Sequence, residues 1–279
     1  MINIITAEPT AEPVTTVGGS VGSYDTFTAY LNKRGLFEDG VSYQAHADWN
    51  RSDGYRENSA FETYDLSAHL AKQWNELRSL SLSTFYHNST YGLPGSLDRE
   101  TFTESPRRST TPQDETEIQS WGMNLGGSSE AGEDGQFAAN ITASRREIDS
   151  AFFGENYHSA LTSEINSYAL TPRYILTRTL AGHENRLTLG SDLRFDSSSS
   201  TLKGLSYGTP YSNIWDYDRT TWAGYAQNAL SITETLTFST GIRYERFFNR
   251  ITGPQQTDSA SHGEAAYEAA LLYQPQAFV

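Results

Sequence analysis

The chain has 279 residues, a formal net charge of −14, a pI near 4.8, 37% hydrophobic and 13% aromatic residues, and no cysteine. This acidity disfavours nucleic acid as a partner, and the lack of cysteine excludes a disulfide scaffold and thiolate-held zinc. At a mean hydropathy of −0.57 no stretch crosses a membrane as a helix, but a β-barrel stays open because it needs only alternate residues to be apolar.

The N-terminal MINIITAEPT lacks the basic segment and apolar stretch of a secretory leader. An extended Gly- and Ser-rich edge follows at 14–23. Phe27, Ala29 and Leu31 then alternate with Thr26, Thr28 and Tyr30. In VSYQAHADWN, residues 41–50, Val41, Tyr43, Ala45, Ala47 and Trp49 share one side, and Ser42, Gln44, His46, Asp48 and Asn50 the other. Such strict alternation marks a strand with one apolar and one wet face. It recurs at Tyr64–Leu70, Trp121–Leu125, Leu187–Phe195, Leu236–Tyr244 and Ala265–Tyr273, and less regularly near 80–87, 137–146, 168–177 and 222–231. The pattern predicts roughly twelve antiparallel strands of about ten residues or more, about twice the usual strand length of soluble proteins.

The connections alternate between short and long. Those at 36–40, 74–77, 131–135, 181–185 and 233–235 are short, and those at 51–60, 91–116, 150–160, 197–216 and 248–262 are long and polar. The link at 22–25 is short where a long one is due. Tight turns on one rim and long loops on the other are how outer-membrane barrels are built. The wet face carries Asp48, Asp192, Arg194, Arg243 and Glu245 in mid-strand, which a dry core disfavours and a water-filled lumen accommodates. A soluble one-sided sheet accommodates them too, and so stays open as an alternative. On the barrel reading Val41, Tyr43, Ala45, Trp49, Leu236, Phe238 and Ile242 face lipid, with Leu236 near the bilayer centre. Gln44, Asp48, Arg243 and Glu245 then face the lumen.

Several strings in this order resemble TonB-dependent outer-membrane receptors of the siderophore and cobalamin type. INIIT at 2–6 resembles the end of that family's plug domain, and VTTVGGSVGSYDTFTAYL at 14–31 the Gly-rich opening of its barrel. WNRSDGYRENSAFETYDL at 49–66 resembles the second hairpin, and STYGLPGSL at 89–97 the third outer loop. WAGYAQNALSITETLTFSTGIRYERF at 222–247 resembles a mid-barrel hairpin and is the most specific match. The family has a signal, a TonB box, a plug and a barrel of about 22 strands, more than this length holds. The resemblance therefore implies a partial receptor, with 1–12 as the last plug strand and linker and 13–279 as an open half-barrel. It implies transport of a scarce metal chelate or vitamin-like molecule across the bacterial outer membrane. In the intact parent a TonB energy-coupling complex would drive it, although the TonB box is absent here. A passive porin-like barrel, a barrel-borne enzyme and a soluble all-β binding module are the alternatives.

No catalytic constellation stands out, and no metal site or cofactor is expected. The six histidines are scattered; His46, His69 and His87 read as polar wall residues. GSVGS opens no helix and is not a phosphate loop. DSSSST at 196–201 reads as a flexible loop stem. Two aromatic groups at strand tops are the candidate ligand walls: Tyr86, Tyr91, Leu93 and Pro94, and Tyr207, Tyr211, Trp215 and Tyr217. Interfacial anchoring competes as the role of each. Arg56, Arg107 and Arg108 are placed to attract an anionic chelate or the anionic lipid surface. The ligand-binding residues expected are thus Tyr91, Leu93, Pro94, Arg107, Arg108, Trp215 and Tyr217.

Overall fold

The computed structural model describes residues 12–274, so Ile2–Thr6 and the plug strand expected there lie outside the described residues. Among the described residues twelve strands form one antiparallel sheet in chain order. They are β1 (Val14–Gly22), β2 (Thr26–Leu36), β3 (Ser42–Ser52), β4 (Phe61–Gln73), β5 (Ser79–Gly92) and β6 (Glu115–Glu130). There follow β7 (Gly135–Gly154), β8 (Tyr157–Leu180), β9 (His183–Ser206), β10 (Thr209–Thr233), β11 (Leu236–Thr252) and β12 (Thr257–Tyr273). One short helix, α1 (Arg99–Glu104), interrupts the β5–β6 connection. Among the described residues β1 and β12 do not pair, so the sheet is open, as the resemblance implies.

The tight turns of one rim, here the lower, fall at 37–41, 74–78, 131–134, 181–182 and 234–235. Val41, expected on a lipid-facing strand, belongs to the first of these turns, where its carbonyl accepts from Phe37 N–H at 2.9 Å. The upper rim differs from expectation. Among the described residues only 53–60 and 93–114 are long loops. The segments 150–160, 197–216 and 248–262 are strands that run on to turns at 155–156, 207–208 and 253–256. The DSSSST stretch lies inside β9 and is paired on both sides, Asp196 with Ser167 and Arg219, Thr201 with Thr162 and Ile214. Tyr207 and Gly208, both at positive φ (49° and 78°), close β9 onto β10 as a two-residue turn. That geometry matches the twist of its strands. The sequence reads as loop here because apolar residues no longer keep to one face of these extensions, Ile214 and Trp215 for example falling on opposite sides, which erases the two-residue period.

Among the described residues the sheet covers no protein core: the buried hydrophobic residues are Ala138, Ile175 and Ala223, and no large side chain is fully enclosed. Direct cross-strand partners share a face, and one row across the sheet runs Tyr43, Leu70, Leu82, Leu125, Ile141, Leu170, Leu193, Trp222. The same face carries Ala45, Trp49, Phe238 and Ile242, while Gln44, Asp48, Arg243 and Glu245 are on the other.

The apolar run does not follow that row. Tyr43 lies six residues below the top of the run on β3, which ends at Trp49. The row continues from Trp222 through Arg246 to Gly263, two residues above the top of the run on β12, Ala265. The band thus slides by eight residues over nine strand steps. At about 3.3 Å per residue and about 4.8 Å per step, it crosses the strands on a slant of about 30°. Leu236, expected near the centre of this band, sits at its lower edge beside the 234–235 turn. Ile242 is nearer the middle.

Candidate functional site

At the upper rim the loops 53–60 and 93–114 fold into one body. Asn58 sits at φ 54°, a conformation asparagine tolerates better than most residues. Its Nδ2 donates to the carbonyls of Leu93 (3.2 Å), Thr111 (2.6 Å) and Asp114 (2.8 Å). Arg56 donates to the carbonyls of Gly95 (2.6 Å), Pro94 (3.1 Å) and Arg108 (2.8 Å). The Pro94 carbonyl also accepts from Thr110 N–H and Ser109 Oγ, and Glu57 accepts from Ser109 N–H. Gly92 permits the contact, because a Cβ there would meet Asn58 Oδ1 at 2.4 Å. Buried Asp114 ties this body to the next hairpin by accepting from Phe153 N–H at 2.7 Å.

This arrangement reassigns part of the expected site. Arg56 holds carbonyls, and Leu93 and Pro94 act through their backbone as hubs of the loop. Arg107 donates to the Tyr55 carbonyl at 2.9 Å, and its guanidinium lies 5.6–5.7 Å from the Tyr55 and Tyr24 rings. Arg108 is exposed, and its guanidinium makes no hydrogen bond among the described residues. Tyr91 pairs with Phe61 and Thr116 on the polar face of β5. Tyr86, grouped with it from the sequence, stands on the opposite, apolar face, because an odd separation along a strand reverses the side.

Trp215 and Tyr217 are five strand steps away on β10, about 24 Å along the sheet. The two expected groups therefore do not meet in one pocket. Both residues point to the polar face. Tyr217 donates to Asn249 Oδ1 at 3.3 Å. Below them the Arg219 guanidinium stands 4.9 Å from the Phe247 ring, which lies 5.9 Å from the His262 ring. Lower still, Arg243 contacts Asp192 Oδ2 at 2.6 Å and Glu245 Oε2 at 2.9 Å, over the Tyr225 ring at 5.8 Å. A cavity of 480 Å³ beside it is lined by Asp192, Tyr225, Gln227, Arg243 and Glu268. Arg219, Phe247 and His262 were legible only as members of an alternating strand. Their grouping depends on register.

On the same face His46 bonds Asn32, His69 bonds Ser83 and His87 bonds Asp65, each at 2.7–2.8 Å. Among the described residues no group of three or more His, Asp or Glu side chains is placed to hold a metal.

The sequence matches no family model and no curated protein. Solved structures share the fold. The ferric citrate transporter FecA, in its unliganded form, superposes with a TM-score of 0.81 at 15% identity, over 95% of this chain and 42% of that one. The ferripyoverdine receptor of the outer membrane of Pseudomonas aeruginosa, bound to ferripyoverdine, gives 0.75 at 15% identity, over 97% and 41%. The ferric yersiniabactin uptake receptor FyuA from Yersinia pestis gives 0.74 at 12%, over 95% and 44%. The chain spans less than half the length of each, and its open sheet has the fold of part of their architecture.

Proposed function

We propose that the chain forms part of the wall and outer rim of an outer-membrane receptor that takes up a ferric or vitamin-like metal chelate. The slanting apolar band carries this reading. A soluble sheet that covers one face has no reason to slide its apolar run by one residue per strand. A wall of strands tilted by about 35–45° and cut by a flat bilayer must do so. The apolar face then meets lipid, which accounts for the missing protein core, and the polar face meets an aqueous lumen. The likeness to receptors of ferric chelates supports the solute class. The plug-like string at 2–6 supports assigning 1–12 to the end of a plug and 13–279 to the wall, with a TonB-type complex energising the intact receptor.

In this reading Arg108, at the rim, and Trp215 and Tyr217, on the lumen side, contact solute, while Leu93, Pro94 and Arg107 hold the loop that presents Arg108. Tyr91 lines the lumen beneath that loop. The full chain in lipid vesicles, incubated with radiolabelled ferric citrate, ferripyoverdine and ferric yersiniabactin, should retain at least one of them saturably, and Arg108→Ala or Trp215→Ala should weaken it. Retention no greater than on protein-free vesicles, for all three, would overturn the solute class.

A further inference from the structure

Above the band on β8 to β11 the lipid-side face changes character within one step. Tyr168, Phe195, Thr220 and Phe248 are successive cross-strand partners and form its last largely aromatic row. Two residues further up each strand stand Asn166, Ser197, Asp218 and Arg250, again direct partners. Two further come Glu164, Ser199 and Asp216. These polar residues line a shallow cavity of 500 Å³, within the usual range for small-molecule sites.

Part of this surface is satisfied internally. Glu164 accepts from Arg145 at 2.8 Å and from Asn166 Nδ2 at 2.8 Å. The rest is not. Asp218 and Arg250 face each other across the β10–β11 pair, yet neither their side chains nor that of Asp216 makes a hydrogen bond or ion pair among the described residues. The cavity therefore offers carboxylate acceptors and a guanidinium fork side by side, above a shelf of aromatic rings.

We propose that this cavity binds the uncharged sugar headgroup of a membrane lipid. The inference rests on the reading of the apolar face as lipid-facing. Its first support is height. The Asn166–Arg250 row is about 7 Å along the strand above the aromatic row, or about 6 Å above the hydrocarbon once the slant is allowed for, and the Glu164–Asp216 row about 11 Å. The headgroup layer of one leaflet is about 5–8 Å thick, so the lower row lies within it and the upper row just outside it, where a headgroup's sugar projects. The second is donor and acceptor balance. Sugar hydroxyls both donate and accept; Asp216 and Asp218 accept, Arg250 donates, and Ser197 and Ser199 do either. The third is charge. Three carboxylates against Arg250 and the already engaged Arg145 repel a phosphate headgroup, which selects a neutral glycosyl group. The rings of Tyr168, Phe195 and Phe248 supply the apolar surface on which the carbon face of a sugar rests.

The test uses the full chain in lipid nanodiscs of phosphatidylcholine mixed with either digalactosyl diacylglycerol or phosphatidylglycerol, with retained lipids read by native mass spectrometry. The digalactosyl lipid should be retained at least about fivefold over phosphatidylglycerol. The near-isosteric pair Asp216→Asn with Asp218→Asn, and separately Ser197→Leu, which fills the cavity, should abolish the preference. Equal retention of the two lipids, or an unchanged preference in both variants, overturns the proposal. Displacement of the lipid by free digalactose at low millimolar concentration overturns the lipid as the source and leaves a soluble saccharide. Protease protection of the strands in the same discs separates this result from the membrane reading. A chain that inserts without the preference defeats only the sugar site, and a chain that fails to insert defeats both.

Discussion

From β3 to β6 the upper rim is a folded loop, whereas from β7 to β11 it is the strands themselves. In the first region the sheet stops at Ser52, Phe61, Gly92 and Glu115, and side chains do the work of a ladder, with Arg56 and Asn58 binding six carbonyls of the 93–114 loop between them. In the second, strands of 17 to 25 residues continue past the band, and backbone pairs hold the rim to its turns. A rim held by a few side chains can be released by removing one of them. A rim held by a ladder yields only from its tip or by loss of the whole sheet.

The largest effect tests what the two regions share. Both stand on the same apolar band, so a charge in its middle should destabilise them together. Ile242→Arg should cost about 2–4 kcal/mol in vesicles, and Ser239→Arg on the polar face of the same strand much less. Equal unfolding free energies for the two variants would remove the lipid assignment. Loss of protection confined to β11 and β12 would show that the sheet is not one cooperative unit.

A smaller effect should separate the regions. Asn58→Ala leaves the Leu93, Thr111 and Asp114 carbonyls without their shared donor and places alanine at positive φ. Each carbonyl keeps a second donor, from Thr111 Oγ1, Asp114 N–H and Leu93 N–H respectively, so the cost is the net worth of the lost bonds, about 1–3 kcal/mol in all. Hydrogen exchange should accelerate across 53–60 and 93–114 while amides at 159–205 keep their protection. Equal acceleration in both would mean that the Asp114–Phe153 contact couples them strongly and that the loop is not a separate body. The converse variant is Gly208→Ala. It strains a left-handed turn position by about 1 kcal/mol, and exchange should rise only near 204–211. Release of the whole extension down to Phe195 would show that its ladder is held from the turn.

The same contrast explains what the sequence disclosed. Within the band each strand has one apolar and one wet face, so Tyr43, Leu70 and Leu193 announce their strands. Both flanks of Ser197–Thr201 are wet, and a stretch without contrast reads as loop. The loop body was illegible for another reason. Asn58 and Leu93 are 35 residues apart, and no local pattern tells that an asparagine amide will collect three carbonyls. Arg56 read as a free cation because charge is visible in a sequence and a donor's partners are not. Trp215 was expected in the loop 197–216 and stands inside β10, paired with Ser200, with Tyr217 below it. Their neighbours Arg219, Phe247 and His262 depend on register between strands, which the alternation fixes only within each strand.

The smallest expected effect lies at the tip of the folded loop. Asp98 precedes α1 in an extended conformation and accepts from Thr101 N–H at 2.7 Å. That backbone bond, with the Thr101 side chain and the charge of Arg108 assisting, holds its carboxyl below the usual carboxylate value. A lowered folded-state pKa means that the cap contributes fully above the ordinary carboxylate range, about pH 4, and loses its contribution as pH falls through the lowered value. α1 is six residues long and buries none of them, and its onward link is the Ser105 carbonyl, which accepts from Arg108 N–H at 3.0 Å. Asp98→Ala should therefore speed exchange at Thr101 and Phe102 at neutral pH without changing the exchange of Arg56 or Asn58. The gap between variant and wild type should close on acidification through the carboxylate range. A gap that widens on acidification would show that the cap does not act through the charged carboxylate. Faster exchange at Asn58 would show that α1 braces the loop body rather than resting on it.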